Sequence, residues 1–198
     1  MESSQDKVTS SFIRKALISA GLSSDTFPGM EEHLLETPSR VAKFWTEFIH
    51  PDINLPGILK SGFGDSSPHS ETGAMVVQQD IPFRGLCAHH LLPFVGMAAI
   101  GYLPRRRVVG LSKLARLVDA AGTMMPSTQE AITNLIADTI DKTLDCSGVI
   151  VLTSANHMCM AARGVATPHT VTKVSAIRGL FIHGPSARNE FFQILGGR

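Results

Sequence analysis

Cysteine is scarce in this chain: three thiols, Cys87, Cys146 and Cys159, occur in 198 residues. So few, and odd in number, they exclude a disulfide-stapled scaffold and favour a reducing compartment in which thiols stay available to metals. A single Trp and a single Tyr leave no clustering of aromatic with basic residues, the pattern of a nucleic-acid binder. An excess of one charge is also missing. Lys and Arg total 18 against 17 Asp and Glu, so long-range attraction to nucleic acid is not expected and any anion site must be local. The apolar runs break within about ten residues, short of the ~20 that cross a bilayer. Residues 1–11 mix Asp6 with Lys7 and lack the basic-then-apolar layout of a secretory signal. The expectation is a soluble, cytoplasmic protein with neither a membrane nor a nucleic acid as partner.

What is present suits a compact α+β body, since 43% of the residues are hydrophobic and the length favours one core. Phe12, Ile13, Ala16, Leu17 and Ala20 fall near the i, i+3, i+4, i+7 spacing of an amphipathic helix over residues 11–20, ended by Gly21. A second helix is predicted from Thr37, with Thr37 as cap, Pro38 in the first turn and Val41, Phe44, Trp45 and Phe48 inward; Pro51 closes it. Residues 53–73, rich in Gly, Ser and Pro, read as loop. Strands are predicted over 74–82, 94–102, 148–154 and 170–181, from β-branched and apolar runs of suitable length. Helices are predicted over 110–121 and 127–144, joined by a link at 122–126, with a short closing helix at 187–195. This order gives an N-terminal helical region, 1–52, and a domain, 53–198, built as an antiparallel sheet with a helix pair.

Chemistry concentrates at two places. Cys87-Ala88-His89-His90 packs a thiol and two imidazoles into four positions, and His157-Met158-Cys159 adds another of each. Zinc favours thiolate sulfur and imidazole nitrogen, and a catalytic zinc keeps three protein ligands and an open fourth position. The candidates outnumber the places. Read as an extended segment, 157–159 would point His157 and Cys159 at one site, and a turn after Cys87 would bring His90 to join them. The histidines left over would exchange protons near neutral pH. Cys146 has no partner motif and reads as a small core hydrophobe. The run Arg105-Arg106-Arg107 reads as a solvated loop face. Lys113 and Arg116, one helical turn apart, are better placed to converge on one anion.

These residues carry a resemblance. Cys87 to Phe94 (CAHHLLPF), Gly101 to Pro104 (GYLP), Gly110 to Arg116 (GLSKLAR), His157 to Met160 (HMCM) and Arg163 to Val165 (RGV) closely resemble GTP cyclohydrolase I. Leu34 to Lys43, Ser175 to Phe181 and Asn189 to Phe191 extend the likeness, in order, over most of the chain. The resemblance implies a tunnelling fold, in which the sheets of neighbouring subunits join into a barrel, and a homodecamer of two pentamers with sites between subunits. It implies that Cys87, His90 and Cys159 hold Zn2+, and that His89 and His157 handle protons, with Ser112 assisting. It assigns Gln129 and Glu130 to the guanine edge and Lys113, Arg116 and Arg163 to triphosphate and ribose, with Arg40 reaching in from a neighbour. The implied reaction is hydrolysis of GTP at carbon 8, giving 7,8-dihydroneopterin triphosphate and formate.

The chain departs from the family pattern beside the site. Ala88 stands where the family usually has Glu, Ala131 where an arginine is expected on the triphosphate, and residues 122–126 replace an Arg-rich stretch, with one residue inserted. Ser154-Ala155-Asn156 precedes His157 where an acidic residue and Ala are common, and Ala166 stands where a basic residue is common. These changes keep a second reading open, in which only the first hydrolysis of a purine nucleotide proceeds, and a third, in which the chain is a silent nucleotide-binding module.

Overall fold

In a computed structural model, residues 4–22, 34–60, 74–105 and 108–196 are described. Arg106, Arg107 and most of the predicted 53–73 loop lie outside them. The chain forms two compact units, Met1–His50 and Pro51–Arg198. Among the described residues, no helix is long and apolar enough to cross a membrane.

The first unit pairs α1 (Ser4–Ser19) with α2 (Thr37–Phe48). α1 begins earlier than its apolar pattern. It ends in a Schellman closure, with Leu22 N–H on Leu17 O at 2.9 Å and Gly21 N–H on Ile18 O at 3.0 Å. Gly21 takes φ +86°, which a side chain would disfavour. Thr37 is the first residue of α2 and not its cap; Glu36 precedes the helix, without a side-chain cap bond. The buried residues of α2 are Pro38, Ala42 and Phe48, whereas Phe44 is exposed.

The second unit begins with a helix where a loop was predicted. α3 (Leu55–Lys60) forms because Asn54 Oδ1 accepts from Gly57 N–H at 3.0 Å, an asparagine cap. Leu55 and Leu59 then enter the core. Strands β1 (Val76–Leu86), β2 (Pro93–Pro104), β3 (Cys146–His157) and β4 (Val171–Gly179) form one antiparallel sheet in chain order. Between β2 and β3 lie α4 (Leu111–Thr123) and α5 (Gln129–Thr143). They cover one sheet face: Leu114, Leu117, Val118, Ile132, Ile136 and Ile140 pack with Phe83, Phe94, Ile100 and Val151. On the alternate positions, Ala99 and Ile150 meet Phe181 and Phe191. Phe181 belongs to α7 (Leu180–His183), which replaces the predicted end of the last strand, and Phe191 to α8 (Pro185–Gly196). α6 (Met158–Ala161) is a single turn directly after β3.

The link between α4 and α5 lies two residues later than predicted, because Gly122 and Thr123 continue α4 and α5 begins at Gln129. A Cβ on Gly122 would overlap the carbonyl oxygen of Arg84 in β1, so glycine here sets how closely α4 lies on the sheet. Gly122→Ala is expected to cost about 1–3 kcal/mol by overpacking against backbone. For a chain of this size that lowers Tm by roughly 2–12 °C. A melting curve superimposable on the parent's would show that α4 has room to shift.

Candidate metal centre and its neighbours

The β1–β2 register closes with Leu86 opposite Pro93, which leaves residues 87–92 as a tight turn. Cys87 N–H donates to Leu92 O at 2.9 Å, and Cys87 O accepts from Leu91 N–H at 2.8 Å and His90 N–H at 3.3 Å. Leu91 pays for this tightness with φ +51°. The turn is strapped from the side: Ala88 N–H donates to Ser127 O at 3.0 Å and Ser127 N–H to Leu86 O at 2.8 Å. Ser127 is followed by Thr128, whose hydroxyl accepts from Ala131 N–H at 3.2 Å and caps α5. One short strap therefore positions both the Cys87 turn and the first turn of α5.

The second half of the centre arrives along β3, whose last residue, His157, lies opposite Phe94. The two rings stack at 4.7 Å with planes 20° apart. The extended geometry predicted for 157–159 does not hold. The chain turns helical at Met158, and it is this turn, not strand alternation, that aims Cys159. Ligand atoms of Cys87, His90 and Cys159 all lie within 4.8 Å of one another, with Cys87 Sγ 3.6 Å from His90 Nδ1. His89 Nδ1 is 3.7 Å from the same sulfur but does not belong to that mutually close set. Zinc–sulfur and zinc–nitrogen bonds in a tetrahedron put neighbouring ligand atoms about 3.5–3.8 Å apart, so the three residues fit such an ion.

Burial, and then the neighbouring Cys87 thiol, push the Cys159 pKa up, so a metal that needs thiolates must displace protons. Burial also lowers the pKa of His157, against an opposing pull from Glu130. His157 Nε2 lies 2.8 Å from Gln129 Oε1.

Gln129 is placed differently from the expectation. It is 1% exposed, and its amide nitrogen donates to Thr153 O, Thr153 Oγ1 and Thr172 O at 3.2, 3.0 and 3.1 Å. The amide hydrogens are thus taken up inside the protein, while the amide oxygen, with two lone pairs, has His157 as its contact. The next residue, Glu130, is exposed at the first turn of α5. Ser112 and Arg116 are exposed on α4, and Lys113 is half-buried there. Arg163 is exposed on the loop after α6, and Asn156 closes that loop by donating to Pro168 O at 2.6 Å and Thr170 O at 3.1 Å. Arg40 lies in the first unit, paired with Glu36 at 2.7 Å. The sequence reading missed Thr133, Thr153 and Ser127. The available signal was polar Gln129 and Thr133 on the α5 face that carries Ile132, Ile136 and Ile140.

Cys146 stands at the opposite end of β3. Burial, and then Asp141, raise its pKa from 9.0 to about 11. Only the thiolate reacts, so at pH 8 Cys146 should alkylate about a hundredfold more slowly in the native protein than in the unfolded chain. Peptide-resolved iodoacetamide labelling tests this, and equal rates would refute it. Because the folded pKa is the higher one, the stability this thiol contributes is complete below pH 9 and is lost as pH rises through about 11.

Two thiols and an imidazole thus converge beside a histidine bonded to a buried glutamine, a donor set of the kind that suits zinc. The model of the GTP cyclohydrolase I family matches residues 13–196, and the chain belongs to that family of hydrolases. It is 42% identical over 167 residues to GTP cyclohydrolase 1 of Hydrogenobaculum sp. (strain Y04AAS1), covering 83% of this chain and 86% of that protein. Against GTP cyclohydrolase 1 of Brevibacillus brevis it is 45% identical over 166 residues, covering 83% and 86%. Against that of Corynebacterium glutamicum (strain R) it is 40% identical over 190 residues, covering 93% and 90%. A solved archaeosine synthase QueF-Like structure, in the apo form, aligns with a TM-score of 0.45 at 13% identity, covering 55% of this chain and 97% of that one.

Proposed function

We propose that this chain hydrolyses GTP at carbon 8 of guanine, yielding 7,8-dihydroneopterin triphosphate and formate, with zinc held by Cys87, His90 and Cys159. The observation that carries the reading is the convergence of those three side chains within 4.8 Å in a chain of this family. A zinc ion so held supplies Lewis acidity and a water activated for attack near neutral pH. His157 takes up a proton from the attacking water and passes it to the ring nitrogen beside carbon 8 as the imidazole ring opens. His89, with Ser112, moves protons during the ribose rearrangement and closure to the pterin. Glu130, exposed on α5, accepts two hydrogen bonds from the guanine amine and ring N–H. Lys113 and Arg116 on α4, with Arg163 on the loop that Asn156 closes, hold the triphosphate.

The same reading takes the unit beginning near residue 53 as the catalytic domain and residues 1–52 as an N-terminal helical region. Arg40 then serves a neighbouring subunit's site within a cytoplasmic decamer of two pentamers, which engages neither nucleic acid nor membrane. Ala131 offers no cation to the triphosphate, and the other basic side chains carry that load.

The test is to incubate the purified, zinc-loaded protein with GTP while following formate and pterin fluorescence together. Formate and pterin in equal amounts are expected. GTP consumed without pterin would replace this reading by a first hydrolysis alone, and GTP left intact would replace it by a binding module.

A further inference from the structure

The hydrogen bonds around Gln129 admit only one arrangement of protons. The backbone carbonyls of Thr153 and Thr172 can only accept, so the side-chain atom 3.2 and 3.1 Å from them is the amide nitrogen. Thr133 Oγ1 donates to the backbone carbonyl of Gln129 at 2.7 Å, so its hydroxyl hydrogen is committed there. The Thr133–Thr153 hydroxyl contact at 2.7 Å must then be donated by Thr153, whose oxygen is left to accept from the Gln129 amide at 3.0 Å. The centre of the network is buried, with Gln129 1% exposed and Thr133 and Thr153 0% exposed, and Thr172 and His157 are partly buried. Turning the amide over would set its oxygen against two backbone carbonyls, which can only accept, around a side chain that is itself buried, a cost that favours the orientation seen. The amide oxygen therefore faces His157 Nε2 at 2.8 Å, and that ring nitrogen must carry a hydrogen.

We infer that Gln129 is a positioning residue that holds neutral His157 in the Nε2–H tautomer, leaving Nδ1 as the ring nitrogen that exchanges protons in the reaction. Among the described residues, His157 Nδ1 has no hydrogen-bond partner. The ring plane is fixed independently by the stack on Phe94, so tautomer and orientation come from different contacts. Gln129 thus acts on proton transfer through His157.

The inference rests on the proposed reaction only for its kinetic arm. The zinc-loaded full-length protein, labelled with 15N-histidine, is examined by solid-state NMR above neutral pH, and His157 is identified by its disappearance in His157→Asn. The parent is expected to show hydrogen on Nε2 and a lone pair on Nδ1. In Gln129→Met the tautomers should mix, and kcat should fall about 10- to 100-fold, part of what a positioned acid or base supplies, with KM within about threefold. Thr153→Val leaves both carbonyls holding the amide and should keep the parental tautomer.

Hydrogen on Nδ1 in the parent overturns the inference, as does an unchanged tautomer in Gln129→Met. So does a rise in KM at constant kcat, the mark of a side chain that binds substrate. Should Gln129→Met fail to assemble, the parent spectrum still decides. A protein that turns over no GTP overturns the proposed reaction but not the tautomer, which the spectrum reads by itself.

Discussion

Cys87→Ala is expected to strip the protein of zinc and to lower its turnover of GTP by about a thousandfold or more. The magnitude follows from what the ion supplies: several kcal/mol of activation for a water that is otherwise a poor nucleophile at neutral pH. Cys87 is the most critical of the three. It is the only buried member of the set, it lies 3.6 Å from His90 Nδ1, and its backbone closes the turn that presents His90. Alanine keeps that backbone, so fold and assembly should survive while the donor is lost. Metal analysis of the purified variant, alongside its rate, provides the check. Cys146→Ala is the matched control: it removes a thiol at the far end of the twelve-residue strand β3, about 35 Å from His157 at the usual rise per residue. It should keep both zinc and rate. Full zinc content in Cys87→Ala would remove Cys87 from the ligand set.

The sequence disclosed the composition of this centre better than its geometry. Cys87, His90 and Cys159 stand out because thiols are so few and two of them sit beside imidazoles. How Cys159 arrives did not follow from pattern, since a one-turn helix of four residues is too short to show a period. The strands and the α4–α5 pair were legible because each presents an apolar face to a common core. α3 was not, because its signal is one asparagine cap and two leucines inside a stretch dominated by Gly, Ser and Pro. Gly122 looked like a helix breaker and is a contact glycine: the meaning of a missing Cβ depends on what lies across from it, here Arg84 O. Gln129 shows the same limit. The resemblance gives Gln129 and Glu130 one shared role, yet helical rotation sends the first into the core and leaves the second exposed.

His157 provides the second large effect, and it separates proton handling from metal binding. His157→Asn should lower kcat by about a hundred- to ten-thousandfold, the range for removing a positioned acid or base, while zinc content stays at the parental value. The geometry supports retention of the metal: one ring nitrogen is engaged by Gln129, the ring lies flat against Phe94, and the mutually close ligand set is complete without His157. KM should change little, because Glu130 and the basic side chains proposed to hold the substrate lie on α4, on α5 and on the loop after α6. Asparagine is shorter than histidine and removes the ring while leaving a polar group toward the buried amide, which limits the cost to the fold. Zinc lost in parallel with activity would make His157 a ligand and return the division between ligands and proton carriers to the open state in which the bare sequence leaves it. Zinc retained with activity retained would move the proton to His89, whose Nδ1 lies 3.7 Å from the Cys87 sulfur.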